Sequence, residues 1–116
     1  MAHKRRADQN FLDFVPVRCV ECECGGDGRM TLLRPKFPGG LLRRFVQHRL
    51  SKPFYKVHLD DVGSCVWELV NGARTVGEIA GELERRFGPR VTPAHDRVCL
   101  FLRELEKGSM IRFNGP

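Results

Sequence analysis

Apolar and polar positions alternate in two stretches before residue 60 and recur at helical spacing after it. Val15, Val17 and Cys19 fall on one side of an extended segment, with Arg18, Val20 and Cys22 on the other. That two-residue period predicts a strand. Gly25-Gly26-Asp27-Gly28 follows, where glycines supply the positive φ angles of a tight turn. Met30-Thr31-Leu32-Leu33 then returns, so residues 15–33 read as a β-hairpin. Pro35, Pro38, Gly39 and Gly40 break the pattern. Residues 41–50 predict a short basic amphipathic helix that Pro53 ends, and alternation resumes over residues 54–59 as a third strand.

The second half has helical punctuation. Asp60 or Asp61 caps a helix carrying Val62, Cys65, Val66, Leu69 and Val70, and Asn71-Gly72 stops it. Thr75 and Glu78 form a capping box, in which the Thr hydroxyl accepts from the third backbone N–H and the Glu reaches back to the cap. That helix buries Ile79, Ala80, Leu83 and Phe87 and ends at Gly88. Thr92-Pro93 predicts a cap followed by proline at the first helical position, opening a helix that runs to Lys107 and stops at Gly108. Residues 110–113 predict a last short strand. A hairpin, a third strand and three closely linked helices imply an α+β, winged-helix-like fold, with a three-helix bundle packed on one face of a small sheet.

Length and charge narrow the reading. A chain of 116 residues supports one modest core. Residues 1–10 are polar and read as a disordered tail, leaving residues 11–116 as one domain with a basic insert at 34–53. No apolar run nears the ~20 residues that span a bilayer, and none follows the basic N-terminus as a signal peptide would. Both points suggest a cytoplasmic protein. The net charge of +6 is uneven: residues 1–57 hold twelve Lys/Arg against five Asp/Glu, and residues 58–116 hold eight against nine. A partner that reads charge would meet the N-terminal half.

Ordered motifs then carry a resemblance. Leu59-Asp60-Asp61 opens a helix containing Trp67. Asn71-Gly72-Ala73-Arg74-Thr75-Val76-Gly77-Glu78-Ile79 forms the turn and capping box, and Phe101-Leu102, Leu105, Gly108 and Ile111 mark the last helix. From about Tyr55 to Phe113 the chain resembles the PqqD family, also called RiPP recognition elements. The resemblance implies a non-enzymatic peptide chaperone without cofactor. Such proteins bind the leader segment of a ribosomally made precursor peptide and present it to a modifying enzyme, often radical-SAM, as in pyrroloquinoline quinone synthesis. It implies docking of the leader as a strand along Tyr55, Lys56, Val57, His58 and Leu59, in a cleft against the third helix. The long basic N-terminus and residues 34–53 depart from the compact family pattern.

The third helix adds an independent clue. At ~100° per residue, Val98, Phe101, Leu102 and Leu105 form the core stripe, and Leu100 falls roughly opposite. Arg97 and Glu104 lie on one side of Leu100, Arg103 and Lys107 on the other. A peptide groove needs such an apolar residue among charges, although a single exposed leucine is also ordinary. Cys19, Cys22 and Cys24 suggest metal, but structural zinc takes four ligands and no second pair exists. His58 beside Asp60 and Asp61 lacks a nucleophile–base–orienter set, and Trp67 reads as a core or rim anchor. The competing function is a winged-helix nucleic-acid binder. Against it, His95–Lys107 carries three basic residues and three acids, a poor groove reader. Arg43, Arg44, Arg49 and Lys52 would give residues 41–50 a membrane-surface role, though ten residues are few for one.

Overall fold

The computed structural model describes residues 11–35 and 54–115. The tail 1–10, most of the basic insert and the helix expected at 41–50 lie outside the described residues. The order is β1 (Val15–Arg18), β2 (Glu21–Cys24), β3 (Met30–Pro35), β4 (Phe54–His58), α1 (Asp61–Leu69), α2 (Val76–Phe87), a 3-10 turn (Gly88–Val91), α3 (Ala94–Lys107) and β5 (Ile111–Asn114). The fold is α+β, with strands first, three helices next and a short strand at the end.

Among the described residues there are two antiparallel sheets, where one hairpin over residues 15–33 was expected. The hairpin is β2–β3, with Cys22 opposite Leu32 and Cys24 opposite Met30. β4 joins its far side, placing Val57 opposite Leu32. β1 instead pairs with β5, Val15 opposite Asn114 and Arg18 opposite Ile111. Alternation specifies a strand and its buried face but not its partner. Cys19 N–H donates to Met110 O at 2.9 Å, extending that pairing as the chain leaves β1.

The helices follow their punctuation closely. Asp60 is the N-cap of α1, its Oδ1 accepting from Gly63 N–H at 2.7 Å. Asn71 Oδ1 accepts from Ala73 and Arg74 N–H just beyond α1, and Gly72 takes φ +80°. The capping box is complete: Thr75 Oγ1 accepts from Glu78 N–H at 3.1 Å, and Glu78 Oε1 accepts from Thr75 N–H at 2.8 Å. α3 begins differently from the expectation. Its N-cap is Pro93 without a side-chain hydrogen bond, after a cis Thr92–Pro93 bond, and Thr92 N–H is used by the preceding turn.

The core joins both halves of the chain. Trp67, Leu32, Val70, Val76, Ile79, Ala80 and Leu102 are fully buried. Leu32 comes from β3, far from the helices in sequence. Ser64, itself buried, accepts from Met30 N–H at 2.8 Å, while Leu59 N–H donates to Met30 O at 2.9 Å. These two bonds fix the start of α1 against the hairpin. Phe11 packs edge-on against Phe113 with ring centres 5.0 Å apart, and Phe14 sits 6.2 Å from the same ring. Trp67 is core: Arg18 stacks 5.1 Å over its ring and donates to its carbonyl at 2.7 Å.

Candidate functional site

α2 packs against both α1 and α3. Between α1 and α3 a groove of about 690 Å³ opens, reaching the end of β4. Leu59, Val62, Val66, Leu83, Val98 and Phe101 give it an apolar floor, and His58, Asp60, Arg90, Arg97, Leu100 and Glu104 surround it. At Gly63 a Cβ would meet the Phe101 ring at an ordinary 3.4 Å but crowd the capping Asp60 Oδ1 at 3.2 Å. A concave apolar surface with few polar groups at its edge is what recognition sites are made of.

β4 reaches the groove through its last residue, His58. It ends the order β2-β3-β4, so among the described residues its outer edge carries no paired strand. A sheet edge of this kind can template an added strand. Val57 faces the core, and His58 Nδ1 lies 3.0 Å from Thr31 Oγ1 across the β3–β4 pair. Tyr55 on β4 and Leu100 on α3 are the large hydrophobic side chains left exposed among the described residues, at 53% and 64%.

Of the ten residues singled out from the sequence, His58, Leu59, Arg97, Leu100 and Glu104 line the groove. Tyr55, Lys56 and Val57 lie on β4 and do not line it, with Lys56 3.8 Å from Glu23. Lys107 pairs with Glu104 at 3.6 Å without lining the groove. Arg103 stacks 4.3 Å over Phe11, on the flank of α3 that meets the N-terminal segment. Phe101, read as core, is half-buried and contributes to the floor. Arg90 was missed. It forks onto Asp61 at 2.8 and 2.9 Å and stacks 5.4 Å over Phe87. That hydrogen bonding holds the Asp61 carboxyl below its ordinary value of 3.8.

A second depression, of about 560 Å³, lies by the β2–β3 turn and contains Asp61, Ser64, Cys65, Glu68, Arg29 and Arg86. Its polar groups are largely engaged within the protein. Arg86 donates to Glu82 and, at 3.4 Å, to Cys65 Sγ. The guanidiniums of Arg85 and Arg86 hold Glu82 down at about 2. Burial pushes the Cys65 thiol up, only partly offset by Arg86, which disfavours the thiolate a nucleophile needs. Cys19, Cys22, Cys24 and Cys65 form no disulfide, and no cluster of three His, Cys, Asp or Glu among the described residues could hold a metal. No helix among the described residues is long and apolar enough to cross a membrane.

No curated protein and no solved structure matches the chain. The family model described as "Coenzyme PQQ synthesis protein D (PqqD)" matches residues 55–111, a span that holds β4 but for Phe54, the helices α1, α2 and α3 and both walls of the groove. Through that span, about half of its length, the chain belongs to the PqqD family.

Proposed function

We propose that this protein is a non-catalytic chaperone for the leader segment of a ribosomally synthesised precursor peptide. The leader adds as a strand to the outer edge of β4, along Tyr55–Leu59, and lays alternate side chains into the groove against α3. The protein then presents the peptide to a modifying enzyme of the radical-SAM class, in pyrroloquinoline quinone synthesis or a related peptide-derived pathway. The observation that carries this reading is the apolar groove between α1 and α3, with Leu100 exposed on its wall and the end of β4 reaching it through His58. Added main-chain hydrogen bonds supply affinity, and pockets for every second side chain supply selectivity. Membership of the PqqD family supports the same reading.

The test is a titration of the labelled protein with the precursor peptide encoded beside its gene, followed by amide NMR. Shifts are expected at residues 54–59 and 95–107. Shifts confined to residues 11–35, or tight binding to mixed duplex DNA with a steep salt dependence, would sink the proposal.

A further inference from the structure

The groove's charges are not evenly spent. Asp60 accepts from Gly63 N–H at 2.7 Å as a helix cap. Arg90 is forked onto Asp61 at 2.8 and 2.9 Å. Glu104 has Lys107 at 3.6 Å. Arg97 differs: its Nη1 reaches only the carbonyl of Arg90, at 3.4 Å, and no carboxylate among the described residues pairs with it. Among the described residues, Arg97 is therefore a groove cation without a carboxylate partner, and an acid, Glu104, stands two turns further along α3.

Resting on the peptide-binding reading above, we propose that Arg97 sets the sequence preference of the groove. The preferred ligand is an extended peptide with an acidic residue two positions from an apolar one. The acid meets Arg97, and the apolar side chain seats on Leu100 and Phe101. The spacing follows from geometry. Arg97 precedes Leu100 and Phe101 by three and four residues on α3, about 4.5–6 Å along the helix axis. Side chains two apart on one face of a strand are about 6.6–6.8 Å apart, and the long Arg side chain covers the difference. A guanidinium favours this partner because its planar fork matches a carboxylate. Glu104 gives the site polarity, since an acid placed at that end meets a like charge. The apolar residue supplies the affinity, and Arg97 selects which apolar segment is accepted and in which register.

The experiment is selection of random twelve-residue peptides displayed on phage against the full chain. Only peptides whose binding is lost on Leu100→Asp are kept, so that the groove is what is read. The wild type is expected to enrich Asp or Glu two positions from an apolar residue. Arg97→Gln should erase that preference, and Arg97→Glu should turn it toward Lys or Arg. For one enriched peptide, Arg97→Gln should weaken binding about two- to fivefold, the range of a solvent-exposed ion pair. Apolar peptides enriched without that acid, or an acid preference that survives in both Arg97 variants, would overturn this inference and leave peptide binding standing. Failure to enrich any peptide sensitive to Leu100→Asp would overturn both.

Discussion

Leu32 and Leu100 represent two regions of the molecule with different tasks. Leu32, in β3, is wholly buried and belongs to the N-terminal strands that precede the span matched by the PqqD family. Leu100, on α3 within that span, is 64% exposed and stands at the groove. Phe11 and Pro16 share the first condition: they lie outside the matched span yet are buried, Phe11 against Phe113. The N-terminal strands thus complete a core that the span cannot close alone, as expected for a domain with little apolar surface to spare. The matched span, with part of its core supplied from outside, can leave apolar surface facing outward for a ligand.

The strongest way to break this division is Leu32→Ala. Removing a fully buried leucine costs the transfer of its methyl groups plus the cavity left behind, about 2–5 kcal/mol. Domains of this kind have only ~5–15 kcal/mol in total, so the urea midpoint should fall steeply. Peptide affinity per folded molecule should not change. A loss below about 1 kcal/mol would show that the hairpin is an ornament on a self-sufficient helical unit.

Leu100→Asp is the converse. Its side chain is exposed, so the unfolding free energy from urea denaturation should stay within about 0.5 kcal/mol of the parent. Binding of the precursor leader should fall at least about tenfold, as when a central apolar anchor is removed. Unfolding of this variant would place Leu100 in the core and erase the contrast with Leu32.

What the sequence disclosed follows the same line. The capping box at Thr75 and Glu78, the stop at Gly108 and the outward aim of Leu100 rest on local chemistry or helix geometry, and each is legible from nearby residues. The pairing of β1 with β5 is not, because it joins residues some ninety-six positions apart and alternation is silent about partners. Thr92 misled because Pro93, not Thr92, precedes the first turn of α3. The groove was half legible. Helix periodicity separates Leu100 from Val98 and Leu102. The division between core and groove at Phe101, and Arg90's grip on Asp61, depend on how α1, α2 and the 3-10 turn meet. No single-helix projection contains that information.

Arg103 gives the smallest effect and the finest discrimination. On α3 it flanks Leu100 in projection and would count among the groove's charges. In the folded chain it lies 4.3 Å over the Phe11 ring, on the side where the N-terminal segment packs. Arg103→Ala should therefore lower stability by about 0.5–1 kcal/mol, the range of an exposed cation–π contact, without altering peptide affinity. In a Phe11→Ala background the same change should cost almost nothing more, because the two side chains act as one pair. Urea denaturation of the four proteins measures that coupling, and a binding titration on Arg103→Ala completes the test. If Arg103→Ala weakens binding while the urea midpoint stays put, Arg103 belongs to the groove. The boundary between the supporting strands and the recognition face would then have to be redrawn through α3.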